Sequence, residues 1–453
     1  MRIILFLWAI FFLPTTLVAQ NPIISAEGGW QLQEMPILQP SPALIQQSYL
    51  YSSRCIGGSF PDQGYWLYCE ASDQDKYSVE GKKKNWLGLE GCDVGQVYYP
   101  ALDNQIPLAG LRNCQLLVAK IDPASDANKQ MALLQLLDKE GRIIWSYDHS
   151  ILLEKLIPGG DVYPTVPYRD LMVENQAGYL LFDGEYVVQV DIQGKSIWKT
   201  PISEIIQGDS KQFPKVEVTS ERYRPRILSN KQGSIYVTVP IVVDSEIYPK
   251  MFVYQIGPQQ QKFHPVFNSS VFEKNDRSLN AETQRSWSYE PLILGNGELA
   301  IVFSGDSSLG FSLGLLKFNS LVKDWRIWWQ QERSDYQEIL STTQTPISQV
   351  ILAHVSPVHS FEDYYDDPEG IKSVSQVTMD YTIRLINIAD DGGFEGESTF
   401  LLQRNLTITA STTQPIGYLA YMPLEGLRVM MNVAPDYWRD WQFFKLKEII
   451  PSE

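Results

Sequence analysis

The sequence predicts an all-β protein, a β-propeller of about seven four-stranded blades, with six or eight blades not excluded. From Ser48 onward, apolar runs of strand length alternate with turn residues. Almost no stretch has the spacing of an amphipathic helix; only Leu152 to Ile157 and Ile202 to Gln207 are expected to form helical turns. A short unit also repeats along the chain, which indicates a radial array of similar sheets.

The repeated unit spans Leu133 to Tyr147 and recurs as Val187 to Lys199. In each copy an apolar run leads into an Asp, a Gly follows three residues later, and a Trp follows four residues after the Gly. Asp and Gly favour turns, so the unit predicts a hairpin whose returning strand carries the Trp into a packed layer. The six structural repeat residues are Asp138, Gly141, Trp145, Asp191, Gly194 and Trp198.

These Asp-x-x-Gly-x-x-x-Trp units resemble the outer-strand motif of pyrroloquinoline-quinone-type (quinoprotein-like) propeller repeats. That superfamily includes quinoprotein dehydrogenases, the propeller lipoprotein of outer-membrane barrel assembly and, more loosely, bacterial arylsulfotransferases. The resemblance implies the propeller fold and no particular function. The cofactor-binding enzymes of the superfamily use a disulfide between adjacent cysteines, and this sequence has no Cys-Cys pair. Quinone-dependent oxidation is therefore disfavoured.

Further returning strands, one for each blade, are expected near aromatic landmarks at intervals of about fifty to seventy residues. These landmarks are Trp86, Phe263, Trp325 to Trp329 and Phe394. A propeller must also close its ring, and strands from the two termini commonly share one blade. We expect Trp441 to Ile449 to pair with an N-terminal strand near Trp30 or Tyr49, which would leave no open sheet edge.

The N-terminal residues predict export. A single cation, Arg2, precedes an apolar run from Ile3 to Leu13, a breaker at Pro14 and small residues up to Ala19. The run is shorter than the roughly 20 apolar residues that a membrane span needs, so it is typical of a cleaved secretory signal. The predicted organisation is a signal peptide over 1–19, an extended N-terminal lead-in over 20–45 and the propeller over 46–453. The mature chain is expected to be periplasmic or secreted, with no transmembrane segment.

The charge balance excludes some partners. The chain carries 37 basic and 53 acidic residues, a net charge of −16. Such a surface repels nucleic acid and anionic lipid. We expect a protein or polymer partner in the cell envelope or outside the cell.

All four cysteines fall within one stretch of about sixty residues: Cys55, Cys69, Cys92 and Cys114. An even number in an exported chain implies two disulfides, with three pairings open. Turn residues lie midway between Cys55 and Cys69, and again between Cys92 and Cys114. We therefore favour these two pairs, because each hairpin would set its cysteines opposite each other.

Candidate catalytic residues cluster near one acidic segment. His354 and His359 precede Asp363 and Asp366, and a His beside carboxylates could act as a general base. We expect no cofactor, although Ca²⁺ would fit a site built from Asp366, Asp367 and Glu369. A solvated acidic turn at the end of a blade explains the same residues without any chemistry.

Two other motifs are better explained by a structural role than by a catalytic or binding role. Gly310 to Gly314 matches the Gly-x-Ser-x-Gly nucleophile pattern, but the residues after it continue as a strand instead of a helix. Trp325, Trp328 and Trp329 could stack on sugars, yet in a regular strand Trp325 and Trp329 share one face with Ile327, as packing between blades would require.

The sequence thus predicts the fold of the protein more clearly than its function. We favour a binding or scaffold module for a protein or polymer partner over an enzyme. The alternative is a hydrolase, lyase or sulfotransferase with an active site on the propeller axis, for which the best residues are His354, His359, Asp363 and Asp366. Specificity is expected in the long loops Asp73 to Asn85, Asn268 to Trp287 and Phe361 to Ser373.

Overall fold

The structure is a computed structural model of the 453-residue chain. It describes residues 30–35, 54–60, 64–70, 85–90, 97–100, 105–125, 129–156, 171–206, 225–230, 232–241, 250–257, 262–269, 288–307, 310–319, 324–333, 337–345, 348–355, 376–407, 416–422, 426–432 and 441–448.

In this part of the chain the strands form seven antiparallel four-stranded sheets, the blades of a β-propeller. The predicted fold class is confirmed, and the blade number is seven. Strand β1 is Trp30–Met35. Blade 1 contains β2 Arg54–Phe60, β3 Gly64–Glu70, β4 Asn85–Glu90 and β5 Val97–Pro100. Blade 2 contains β6 Gln105–Gly110, β7 Leu116–Ile121, β8 Met131–Leu137 and β9 Ile143–Leu152.

The next three blades repeat the same meander. Blade 3 contains β10 Met172–Asn175, β11 Gly178–Phe182, β12 Tyr186–Val190 and β13 Ser196–Pro201. Blade 4 contains β14 Arg226–Ser229, β15 Ile235–Ile241, β16 Lys250–Ile256 and β17 Phe263–Asn268. Blade 5 contains β18 Ser288–Ile293, β19 Leu299–Ser307, β20 Gly310–Asn319 and β21 Asp324–Arg333.

The last two blades complete the ring. Blade 6 contains β22 Gln337–Gln344, β23 Ser348–Val355, β24 Gln376–Ala389 and β25 Phe394–Thr407. Blade 7 contains β26 Ile416–Met422, β27 Gly426–Asn432, β28 Trp441–Glu448 and, as its fourth strand, β1. Trp30 pairs with Glu448 and Met35 with Phe443. The expected closure by the two termini is therefore confirmed, with its N-terminal strand inside the predicted lead-in.

Helical structure in the described ranges is confined to short turns. Helix α1 is Leu153–Leu156, directly after β9, and helix α2 is Ile202–Ile205, directly after β13. Both lie where the sequence predicted helical turns. A single 3₁₀ turn, Arg112–Cys114, connects β6 to β7.

The first strand of each blade lies nearest the propeller axis. β2 contacts both β6 and β26, and the contacts continue from β10 through β14, β18 and β22 to β26. Because the strands of a blade alternate in direction, the connections between strands 1 and 2 and between strands 3 and 4 share one face, here called the short-turn face.

Hydrogen bonds join neighbouring blades across the short-turn face. The Asn230 side-chain amide of blade 4 donates to the Gly297 carbonyl of blade 5 at 2.8 Å. The backbone N–H of Asn296 in blade 5 donates to the Asp390 carbonyl of blade 6 at 3.2 Å. These bonds satisfy turn groups that would otherwise need water, and they tie three consecutive blades together.

The two copies of the repeated unit fold into the same turn between strands 3 and 4. In blade 3 the Asp191 carboxylate accepts hydrogen bonds from the backbone N–H groups of Gln193 and Lys195, at 2.8 and 3.0 Å. In blade 2, Asp138 makes the equivalent bonds to residues 140 and 142. Gly141 and Gly194 have φ values of 79° and 82°, a conformation that favours glycine. The predicted hairpins are confirmed.

Beyond the turn, the fourth strand of each of blades 2 to 6 contains a β-bulge. At a bulge, two residues lie opposite one residue of the partner strand, so the side chains beyond it change face. In blade 2, for example, Leu136 pairs with Trp145 while Leu137 pairs with Ile143, which leaves Ile144 unpaired. The bulged residues of blades 2 to 6 are Ile144, Ile197, Val266, Trp328 and Glu395.

In blades 2, 4 and 5 the residue after the bulge is aromatic and packs against the next blade. The Trp145 ring lies 5.6 Å from the Tyr179 ring of blade 3. Phe267 of blade 4 lies 5.8 Å from Tyr289 of blade 5. The Trp329 indole N–H donates to the Gly392 carbonyl of blade 6 at 3.0 Å. The aromatic residue therefore holds each of these blades against its neighbour.

The structure corrects two sequence interpretations. Trp325 and Trp329 do not share a face: Trp325 packs against Phe267 of blade 4, whereas Trp329 packs against Phe394 of blade 6. Regular alternation of side chains predicted that both tryptophans lie on the same face of the strand. The extra residue at the bulge, which lies between them, places them on opposite faces. The landmark Trp86 also lies in β4, the third strand of its blade and not the returning fourth.

Replacing Gly194 by Ala is expected to destabilise the protein more than replacing Gly233 by Ala. The two glycines have nearly equal φ values, 82° and 83°, so both variants carry the roughly 1–2 kcal/mol cost of left-handed backbone. A Cβ at position 194 would lie 2.6 Å from the Ser146 carbonyl oxygen, whereas nothing lies within 4 Å of one at position 233. Crowding should add about 1–3 kcal/mol to the first variant alone.

Guanidinium unfolding followed by circular dichroism measures both variants. Equal unfolding midpoints would contradict the close packing of the blade 3 turn on blade 2.

Candidate binding surface

Of the predicted catalytic residues, only His354 lies on a described strand. Its backbone pairs with Glu338 and Ile383 in β23, the second strand of blade 6. His359, Asp363 and Asp366 lie outside the described residues. The long loops expected to carry specificity also lie outside them, apart from their flanking residues Asn85 and Asn268.

The predicted metal ligands also lie outside the residues that the structure describes: Asp366, Asp367 and Glu369. Within the described ranges, no group of three or more His, Cys, Asp or Glu side chains could hold a metal ion. The same ranges contain no helix with the length and apolar character needed to cross a bilayer.

The Gly-x-Ser-x-Gly segment is a strand, as the sequence predicted. It starts β20, and Ser312 is buried there between neighbours that pair with β19 and β21. The Ser312 hydroxyl contacts the Glu332 carboxylate at 3.2 Å and the Gln330 amide at 2.9 Å. A hydroxyl held in this way, inside a sheet, does not present a nucleophile.

The first strands carry an ion pair near the axis. The Arg226 guanidinium of β14 lies 2.7 Å from the Glu290 carboxylate of β18, and each side chain is about one-seventh exposed. The pair joins blades 4 and 5 and neutralises both charges. Removing one partner would leave the other charge buried and unpaired, so the pair fits a structural role.

A second buried polar contact joins blades 2 and 3. The Tyr147 hydroxyl donates to the Asp183 carboxylate at 3.3 Å. The carboxylate also accepts the backbone N–H groups of Glu185 and Tyr186, at 3.1 and 2.7 Å. Burial raises the pKa of Asp183 above its usual value, although these hydrogen bonds oppose the shift. Burial likewise raises the pKa of Tyr147. Because the Asp183 carboxylate accepts the hydrogen bonds that close a turn, we assign it a structural role.

A group of exposed apolar side chains lies on the outer wall of the described blades. The large hydrophobic side chains that face solvent all belong to fourth strands or to the turn before one. They are Ile143 at 52% exposure, Ile144 at 39%, Ile192 at 71%, Ile197 at 55%, Ile327 at 37% and Trp328 at 47%. Three of the six are bulged residues, so the bulge that turns an aromatic inward also turns its neighbour outward.

Four of these side chains lie on the adjacent blades 2 and 3, within β9, within β13 or in the turn before β13, and are here called the isoleucine surface: Ile143, Ile144, Ile192 and Ile197. The backbone at Gly194 lies against Trp145 and Ser146 of blade 2. Two residues further on, the Ser196 N–H donates to the Asp148 carboxylate at 3.3 Å. The turn of blade 3 therefore lies against β9, so the two blades that carry the four isoleucines are in direct contact. Together the four expose about as much area as two fully exposed isoleucines.

The acidic groups beside the isoleucine surface are already paired. The Asp138 carboxylate accepts the Arg142 Nε–H at 2.7 Å, and the Glu140 carboxylate lies 2.9 Å from another nitrogen of the same guanidinium. Burial opposes the shift, but hydrogen bonds from Arg142 and Glu140 lower the pKa of Asp138, which keeps it ionised. In blade 3 the Asp191 carboxylate is bound to its own turn.

Two cations flank the same surface. Lys195 and Lys199 are both exposed on blade 3, and the Lys199 ammonium lies 5.0 Å from the Tyr186 ring. The local charge is therefore balanced, although the chain as a whole is strongly acidic. This surface offers apolar contact together with cations that are accessible to carboxylates.

Sequence reasoning missed the isoleucine surface because it treated the fourth strands as regular. The available signal was the residue before each aromatic: Ile144, Ile197 and Trp328 are all apolar. Where a Trp faces the core, regular alternation places a polar residue next to it. An apolar residue at that position in three strands indicates a bulge.

Comparison with known proteins yields structural neighbours only. No family model matches the chain, and no curated protein matches it. One similar structure is a protein of unknown function from Dyadobacter fermentans, with 10% identity and a TM-score of 0.40, covering 93% of this chain and 100% of that one.

Two further neighbours are propeller domains. That of Nup133 from Vanderwaltozyma polyspora has 9% identity and a TM-score of 0.41, covering 94% of this chain and all of that one. That of the trilobed protease from Pyrococcus furiosus has 8% identity and a TM-score of 0.40, covering 89% and 97%. At these values the comparison adds no function to the chain.

Proposed function

We propose that this protein is an exported β-propeller that serves as a binding or scaffold module and engages a protein partner through the isoleucine surface. The observation that carries the proposal is the exposure of four aliphatic side chains on two interlocked blades. Burial of exposed apolar surface is favourable by about 25 cal/mol per Å², so several exposed aliphatic side chains on two adjoining blades favour association.

The charges around the isoleucine surface define the partner. A partner with an apolar ridge could pack on Ile192 and Ile197 while its carboxylates approach Lys195 and Lys199. The chain has a net charge of −16, so most of its surface repels acidic molecules. A partner that carries carboxylates therefore meets least repulsion at the isoleucine surface, where the local charge is balanced. The partner we propose is therefore a protein with an apolar contact strip bordered by Asp or Glu.

Export and the disulfides belong to the same proposal. The backbone places Cys55 of β2 directly opposite Cys69 of β3, as the predicted hairpin requires. Cross-strand positions of this kind suit a disulfide. The described ranges contain no free cysteine. These observations support an oxidising compartment, and the Cys92–Cys114 pair remains a prediction from spacing.

The enzyme alternative stays a prediction. His359, Asp363 and Asp366 lie outside the described residues, and nothing within the described part favours a hydrolase, lyase or sulfotransferase over a binding module.

Peptide mapping without reduction is expected to find Cys55 linked to Cys69 and Cys92 linked to Cys114. Mature protein purified from the envelope fraction should be digested, and linked peptides identified by mass spectrometry before and after reduction. A Cys55–Cys92 link would contradict the hairpin pairing. Four free thiols would contradict export into an oxidising compartment.

A photo-crosslinking amino acid placed at Ile192 or Ile197 should capture one discrete partner protein in cells that express the chain. The matched control is the same amino acid at Glu395, the exposed bulge position of blade 6, where no discrete crosslink is expected. The double variant Ile192→Lys, Ile197→Lys should lose the partner while its thermal midpoint changes little, because exposed substitutions usually alter stability by less than about 0.5 kcal/mol.

Equal crosslinking at Glu395 would show that the isoleucine surface has no special role. A crosslink only to a second copy of this acidic chain would contradict the proposed partner chemistry.

A further inference from the structure

Trp328 differs from the other two tryptophans of β21. The indole N–H groups of Trp325 and Trp329 donate to carbonyls of the neighbouring blades, those of Val266 and Gly392. Trp328 is the bulged residue between them, and almost half of its surface is exposed. Its ring is therefore free of the packing role that the other two rings serve.

The Trp328 ring is nevertheless held in place. The Lys317 ammonium lies 4.5 Å from the ring centroid, within the range of a cation–π contact. A Cβ built on Gly392 would lie 3.5 Å from Trp328 Cδ1, so the turn of blade 6 supports the edge of the ring. The result is a pre-ordered aromatic platform, covered by Lys317 on one face, that keeps almost half of its surface exposed to solvent.

Polar groups surround the platform. The Lys317 ammonium lies 2.6 Å from the Glu298 carboxylate and donates to the Asp391 carbonyl at 2.9 Å. The same carboxylate accepts the Asn296 side-chain amide at 2.8 Å. Asn296 and Glu298 are exposed, so their remaining hydrogen-bonding capacity is accessible beside the ring.

We infer that Trp328, with Asn296, Glu298 and Lys317, forms a binding site for an uncharged saccharide. A pyranose ring presents C–H groups on one face and hydroxyls around its edge. The C–H face suits the electron-rich face of an indole ring. The edge hydroxyls suit a carboxylate, which only accepts hydrogen bonds, and an amide, which also donates them.

Charge narrows the ligand class. Lys317 is paired with Glu298, so the site offers no uncompensated cation for a phosphate, sulfate or uronate group. The net charge of the whole chain also repels anionic polymers. A neutral oligosaccharide meets neither obstacle. This site lies on blade 5 and does not depend on the isoleucine surface of blades 2 and 3.

Isothermal titration calorimetry with four neutral oligosaccharides tests the inference: cellohexaose, chitohexaose, laminarihexaose and mannohexaose. At least one should bind the mature protein with a Kd on the order of 10 μM to 1 mM. Trp328→Ala should weaken that binding at least about tenfold, and Trp328→Phe, which keeps an aromatic face, should weaken it less. Gln193→Ala changes an exposed side chain in the turn of blade 3 and should leave the affinity within about twofold.

Thermal unfolding of each variant confirms that it is folded before its affinity is compared. Three results would overturn the saccharide site: no binding of any of the four sugars by the wild-type protein at millimolar concentration, equal binding by Trp328→Ala, or equal loss in Gln193→Ala. Crosslinking of a protein partner from position 328, with no sugar binding, would instead assign the platform to a protein contact. The isoleucine surface can fail its own test without changing any of these outcomes.

Discussion

The architecture depends on one contact between adjacent blades: an aromatic side chain on the fourth strand of one blade packs against the next blade. In blades 2 and 5 it meets the turn between strands 3 and 4 of the neighbour, through Trp145 with Gly194 and Trp329 with Gly392. The turn can approach so closely because glycine adds no side chain and tolerates positive φ. Each contact couples a turn to a strand of another blade, so blades that would be weak as isolated sheets stabilise one another.

The β-bulge makes this contact compatible with a surface for binding. It shifts the side-chain alternation so that the aromatic residue faces the next blade, and it leaves the preceding residue pointing to solvent. In blades 2, 3 and 5 that residue is Ile144, Ile197 or Trp328. One local irregularity therefore serves two purposes, since it holds the ring together and displays apolar side chains on the outer wall.

The sequence predicted what depends on local chemistry. Asp191 and Gly194 indicate a turn by themselves, and the repeated spacing indicates blades. The need to close the ring also predicted that the strand at Trp30 pairs with the last strand of the chain. The sequence did not predict which face Trp325 and Trp329 occupy, because a bulge depends on pairing between strands and leaves only a weak trace in one strand. The binding surfaces were missed for the same reason. The predicted catalytic and metal residues were chosen for their chemistry alone, and nothing in the described blades positions them around a substrate.

Deleting Ile144, compared with replacing it by Ser, tests the role of the bulge most directly. Ile144→Ser should unfold within about 0.5 kcal/mol of the wild type, because the side chain is exposed and the register is unchanged. Deletion should remove the bulge, turn Trp145 away from blade 3 and cost about 3–5 kcal/mol, comparable to losing a buried aromatic side chain. Guanidinium unfolding of the two variants side by side measures the difference. A deletion variant as stable as Ile144→Ser would contradict this account.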